Sequence, residues 1–396
     1  MVPEFREAYN RSFSEAGYQH FLRQLDLAVG AHVGFRQSET PVFVPQRLAA
    51  ELVAAVRELL AQSLDPNYLR IAESAIPEPY RMPDPSPHPT FAVVDFAVTQ
   101  ERDGTLRPKL IELQGFPSLY GYLPLSARVY RDCFPIDPRL AYLLGGLDEE
   151  SYGRLLRRTI FGDQAAENVV LLEIKPWEQK TNADFYCIQH YCPGLQVVCA
   201  TEVVVRGRQL RYRRNGREIP IHRIFNRLIV DDLERRGIQL GFKLGGDYEV
   251  EWADRPTWYF RISKFTLPYL RHPLVPRAWR LSELPELPER LESFVLKPLF
   301  SFAGVGVQVD VTPEMLAAIP PERRGDYLLQ EKVEYAPVLR APDGRIKVEL
   351  RVLCLWPDEL VPVALLPRLS RGAMLGVDFN KGKTWVGSSA SFIVPN

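Results

Sequence analysis

The sequence predicts a mixed fold, α+β with an α/β portion, in which a helical N-terminal cap precedes several apolar strands carrying isolated charges. Three observations predict it. Residues 1 to about 75 keep helical spacing, with Leu52, Val56, Leu59 and Leu60 falling near one stripe. Two neighbouring strand patterns, FAVVDFAV and PKLIELQ, set Asp95 and Glu112 among apolar residues. From Asn168 onward, short strand runs alternate with helical ones, the pattern of an α/β unit. A chain of 396 residues, 46 % hydrophobic, is long enough for two or three packed units.

In order along the chain, FREAYNRSFSEAGYQHFLRQL and PQRLAAELVAAVRELLAQSL read as helices without any titratable pattern. A proline-rich stretch, 77–90, leads into the Asp95 and Glu112 strands, and 122–144 returns to helical spacing. VVLLEI (169–174) reads as a buried strand, ADFYCIQHY as a short helix and LQVVCATEVVV as another strand. RGRQLRYRRNGRE (206–218) places an NG turn between alternating residues. It reads as a protruding hairpin with solvated arginines, or as a polyanion site. IHRIFNRLIV (221–230) reads as a strand with Arg223 and Arg227 on one face, His222 and Asn226 on the other. That cluster could bind a substrate carboxylate or form an ion-pair network. No GxGxxG follows a strand, so no dinucleotide is implied.

Glu112 and Gln114 are two apart on a strand and so share a face. With the Asp95 strand alongside, their oxygens converge in a way that suits Mg²⁺; the same residues also read as a hairpin with exposed acids. FVLKPLFSFAGVGVQV (294–309) puts Lys297 on a strand that runs into a loop containing Gly304 and Gly306. An ammonium beside glycine N–H groups can hold polyphosphate, although this is not a P-loop and an ordinary hairpin reads equally from the string. YLLQEKV (327–333) ends a strand in Gln330 and Glu331, which could present a backbone edge and a carboxylate to adenine and ribose. VELRVLCLW (348–356) alternates Glu349 and Arg351 with apolar neighbours, placing a guanidinium on a sheet face.

Together these pieces resemble the ATP-grasp superfamily, in its circularly permuted, glutathionylspermidine synthetase-like branch. VVDFAV and PKLIELQGFPSLYGY match the family's acidic motifs in order and spacing; SKFTLPYLRHPLVP (263–276), FVLKPLFSFAGVGV and YLLQEKV match its later group. The resemblance implies a circularly permuted ATP-grasp fold with a Rossmann-like pre-grasp unit. Residues 1–87 would be the helical cap, 88–160 the metal-binding part, 161–255 the Rossmann-like unit and 256–396 the nucleotide-binding lobe. It implies that Asp95, Glu112 and Gln114 bind Mg²⁺, Gln114 standing where the family has asparagine. Lys264 and Lys297 would contact ATP, the loop with Gly304 and Gly306 would cover the phosphates, and Gln330, Glu331 and Val333 would form the adenine-side hinge. Arg351, with Lys297, would act on the transferring phosphoryl group. A C-terminal pair, Asp378 and Asn380, is the second choice for the metal. Val93 departs from the family, which has an arginine there; Arg368 or Arg371 could supply the charge.

The activity so implied is an ATP- and Mg²⁺-dependent carboxylate–amine ligase working through an acyl phosphate, with small-molecule carboxylate and amine substrates. A non-catalytic nucleotide-binding module and an ATP-grasp kinase are its alternatives. Composition bounds the partners. Lys plus Arg and Asp plus Glu both number 49, so no general nucleic-acid or acidic-membrane surface is expected. No apolar run approaches spanning length, MVPEFREAYNRS lacks a signal-peptide pattern, and the five cysteines form no CxxC pair. A cytoplasmic protein with reduced thiols is the expectation.

Overall fold

The computed structural model describes residues 2–83, 85–301, 304–372, 375 and 380–395. Three sheets position the site. The central sheet is antiparallel, with strands in the order Gly387–Ser388, Val361–Ser370, Gly344–Leu355, Phe91–Gln100 and Leu106–Gln114. Leu339–Ala341 pairs with the start of Gly344–Leu355. Alternation divides its faces. Val94, Phe96, Leu113, Leu350, Val352 and Leu365 are buried in the main core with Leu52, Val56, Tyr130 and Leu156 from the helices. The intervening positions carry Glu112, Asp95, Arg351, Glu349 and Arg368, in register across the strands. A strand pattern with single charges thus marks one charged face and one apolar face.

A smaller antiparallel sheet follows the order Ala278–Arg280, Tyr327–Glu331, Phe294–Pro298 and Gln308–Val309. Its Leu296 and Leu329 pack with Leu281, Val311 and Leu316. Lys297 and Gln330 occupy the opposite face, since their register partners are Leu328 and Val295.

The third sheet is parallel, in the order Glu251–Ala253, Arg223–Asn226, Val169–Glu173 and Gln196–Cys199, with helix Asn182–Tyr191 between the last two in sequence. The basic segment forms the expected hairpin, Gln209–Arg214 with Arg217–Pro220, widened to three strands by Val204–Arg206. Asn215 (φ 50°) and Gly216 (φ 76°) make the turn left-handed at both central positions, as NG predicts. Glu218 takes Arg206, so part of the arginine charge is paired.

Four expectations change. The segment 122–144 is helical only over Tyr122–Cys133, because Pro135 and Pro138 follow. LQVVCATEVVV is two strands, Gln196–Cys199 and Val204–Arg206, split by a 3₁₀ turn at Ala200–Glu202. IHRIFNRLIV keeps only Arg223–Asn226 as strand before a helix, Val230–Arg235. The N-terminal region is not wholly helical: Val42–Pro45 is a buried strand, parallel to Ser391–Val394. No helix among the described residues is long and apolar enough to cross a membrane.

Candidate functional site

The charged face of the central sheet lies opposite the Lys297 face of the small sheet. Asp95 pairs in register with Glu112 on one side and with Arg351 on the other. The ladder slips between Asp95 and Phe96, whose partners are Glu112 and Leu110, so Ile111 is an unpaired bulge residue. Lys297 takes up that freed group: its Nζ donates to the Ile111 carbonyl at 3.4 Å, from 186 positions away. It also donates to Gln330 Oε1 at 2.6 Å.

Lys264 reaches the same place by another route. It begins a 3₁₀ turn, Lys264–Tyr269, whose start is fixed by a capping box between Ser263 and Thr266. The preceding residue is held against the acid strand, because Gly115 N–H donates to the Ile262 carbonyl at 2.8 Å. Lys264 Nζ then lies 3.9 Å from Glu112 Oε2 and donates to the Ser301 carbonyl at 2.6 Å. Both lysines are nearly buried, at 7 % and 8 % exposure.

Electrostatics follow from this crowding. Burial pushes Asp95 up to about 7; Arg351 pulls the other way, and Glu349 and Glu112 add to the rise. Burial also opposes ionisation of Glu112, but the surrounding cations Lys264, Lys297, Arg351 and Arg368 together hold its carboxyl below the ordinary value. Burial lowers Lys297 to about 8, against the support of Glu112. Further along the same face, Glu349 accepts from Tyr335 Oη at 2.7 Å and from Arg368 Nη1 at 3.3 Å.

Asp95, Glu112 and Gln114 meet at one point. Gln114 Nε2 lies 2.7 Å from Glu112 Oε1 and 3.2 Å from Asp95 Oδ2, so a single atom reaches both carboxylates. Among the described residues no three His, Cys, Asp or Glu side chains gather to hold a metal. A cation at this point would meet two carboxylates, would gain the Gln114 oxygen only if that amide turned over, since its Nε2 faces the acids, and would need ligands from outside the protein. Of the second-choice pair, Asp378 lies outside the described residues. Asn380 Oδ1 accepts from Ser370 Oγ (3.0 Å), Arg371 N–H (2.9 Å) and Gly372 N–H (3.3 Å), which makes it a clamp on the backbone.

The remaining predicted residues distribute around this centre. Gly304 and Gly306 have φ of 76° and 73°, in the loop that leaves Pro298. A Cβ on Gly306 would lie 2.8 Å from Pro298 Cγ, so no other residue fits there without movement. Glu331 sits on the face opposite Lys297, and its carboxylate takes the Arg277 backbone N–H at 2.9 Å and guanidinium at 2.6 Å. Glu331 and Val333 line a cavity of about 980 Å³ with Pro276, Phe294 and Tyr335. Asp95, Glu112, Lys264 and Lys297 are not among its walls. Arg371 is turned away to Asp343, whereas Arg368 shares the Glu349 face.

The 221–230 cluster takes the ion-pair alternative and not that of a carboxylate site. Arg223 pairs with Glu251 at 2.9 Å, while Arg227 crosses to Asp184 at 2.6 Å and His222 is exposed. Asp184 in turn accepts the N–H groups of Leu119, Gly121 and Tyr122, so this pair pins the chain just beyond Gln114. Sequence reasoning gave no role to Tyr335, which lies in the irregular segment between sheets, or to Glu349, whose two-residue offset from Arg351 was the available signal.

No family model matches the chain, and no curated protein does. Among solved structures, that of a glutathione synthetase-like effector, GSS30, from Globodera pallida in its apo form is similar, with a TM-score of 0.57. It is 12 % identical, over 99 % of each chain. The likeness is one of fold: a mixed α+β architecture shared along the whole length.

Proposed function

We propose that this protein is an ATP- and Mg²⁺-dependent ligase that joins a carboxylate to an amine through an acyl phosphate. The observation that carries the reading is the meeting of Lys264 and Lys297 with the Glu112 strand, where Lys264 Nζ is 3.9 Å from Glu112 Oε2. Cations from one segment facing acids from another form the arrangement that phosphoryl transfer needs, since positioning and charge neutralisation do most of the work. Asp95, Glu112 and the Gln114 amide oxygen would hold Mg²⁺, which neutralises charge on phosphate oxygens. Lys264 and Lys297 would bind the phosphates, and Arg351 would stabilise the transferring group. The loop with Gly304 and Gly306 would cover them and exclude water. Residues 330–333 would form the adenine side.

ADP release from ATP, measured with candidate acids and amines singly and together, tests the reading. Release that rises only when both are present supports it. Glu112→Ala should remove the Mg²⁺ dependence of nucleotide binding, and persistence of that dependence would exclude the Asp95–Glu112 metal assignment.

One observation favours a second reading, a nucleotide-binding module without turnover. Asp95 already has Arg351 at 2.7 Å and the Gln114 amide at 3.2 Å, so its charge is satisfied within the protein. Tight nucleotide binding with no stimulated ADP release under any substrate pair would favour the module.

A further inference from the structure

Residues 206–218 contain six arginines, no lysine and one acid, in a chain that is neutral overall. Folding sorts them. Leu210 and Tyr212 turn inward to the core of the parallel-sheet unit. Gln209, Arg211 and Arg213 therefore share the outward face with Arg206 and Glu218. Val204–Arg206 reaches only as far as Arg211, so from Tyr212 to Ile219 the hairpin is a two-stranded ribbon. Its tip, Arg213 to Arg217, is exposed throughout. Glu218 serves Arg206 at 2.6 Å and Arg213 at 3.8 Å, and Asp247 serves Arg208 at 2.9 Å. Arg214 and Arg217 face each other directly across the ladder, and among the described residues no carboxylate lies within ion-pair reach of either. Like charges set opposite each other destabilise a ribbon, and an anion brought between them turns that repulsion into attraction.

We propose that this tip docks in the major groove of duplex DNA, its arginines taking phosphates from both walls. Guanidinium forks match phosphate bidentately, which suits a set made wholly of arginine. The groove admits a two-stranded β-ribbon. Both faces of the tip are charged, with Arg213 on one and Arg214 and Arg217 on the other. An acidic peptide lying along the hairpin would use only one of them. From Arg213 to Arg217 there is no apolar side chain for a lipid surface to receive. Tyr212 is buried, so the tip offers no ring for stacking on unpaired bases. Contacts of this kind go to the phosphate backbone, so affinity depends on salt and little on base sequence. The surface acts independently of the Lys264 and Lys297 site.

The test is fluorescence anisotropy of a short, labelled, mixed-sequence duplex with the whole chain and two double variants. Arg214→Gln/Arg217→Gln should weaken binding roughly tenfold and make the slope of log affinity against log salt shallower by about 2. Arg23→Gln/Arg47→Gln removes the same charge from exposed helix positions and should change neither. Thermal unfolding of the tip variant at or above the wild-type temperature shows that it is folded, as relief of the Arg214–Arg217 repulsion implies. Wild-type protein that leaves the duplex unbound at about 50 mM salt would overturn the proposal, as would equal losses in the two variants. Tighter binding to the unpaired strand, to polyglutamate or to phosphatidylserine vesicles than to the duplex would also overturn it, and would name the partner instead.

Discussion

Arg351 and Asp95 occupy paired positions on adjacent strands, with Arg351 Nε 2.7 Å from Asp95 Oδ1 and both side chains almost out of water. Removing one member of a buried pair strands the other charge, which costs about 3–5 kcal/mol. Arg351→Met should therefore lower the free energy of urea unfolding by that order. Adding Asp95→Leu to it should recover most of the loss. A single variant as stable as the wild type would mean the pair adds nothing to folding.

Glu173 ends a parallel strand at 5 % exposure and accepts the Ile174 N–H at 2.8 Å. Burial pushes its carboxyl from 4.5 up to about 8, with Arg227 pulling back. The folded protein thus keeps a proton that the unfolded chain releases between those values. Stability from this group is full below pH 4.5 and is lost as pH rises through about 8. The slope is at most about 1.4 kcal/mol per pH unit. Glu173→Gln should flatten the fall seen in denaturation curves between pH 5 and 8, and an unaltered slope would assign it to other groups.

Lys297 is the contact that joins the small sheet to the bulge at Ile111. Lys297→Ala should abolish ATP binding in calorimetry. Lys297→Arg should restore it only in part, because a fork replaces a point charge in a site nearly closed to solvent. Full affinity in the alanine variant would take this strand out of any nucleotide site.

Gly115 follows Gln114 directly, and a Cβ there would lie 2.6 Å from the Trp258 carbonyl oxygen. Gly115→Ala should force the acid strand and the Lys264 segment apart, at a cost of about 1–3 kcal/mol. Thermal unfolding would read the loss, and nucleotide titration would show weaker binding. Alanine tolerated without change in either would show that the backbone can yield here.

The sequence made the faces of the two acid strands legible, because strict alternation leaves a charge only one side to occupy. It also made the NG hairpin legible, where turn chemistry is local, but not that Lys297 and Gln330 share a face while Glu331 lies on the other. It did not show the bulge at Ile111, since an extra residue in a strand leaves no mark in an apolar pattern. The fate of Arg227 was also hidden: its partner Asp184 belongs to a helix whose distance in space no spacing reveals. Val42–Pro45 escaped for the same reason, a four-residue strand whose ladder partner lies at the other end of the sequence.

That last pairing shapes how the molecule can be made. Phe43 and its neighbours leave the ribosome early, yet the strand that covers them, Ser391–Val394, is translated far later. Until then the strand has its N-terminal neighbours, Phe5 and Tyr9 beside Phe43, but an unpaired ladder edge, an invitation to chaperones and to misassembly. That part of the hydrophobic interior can close only after Ser391–Val394 has been made.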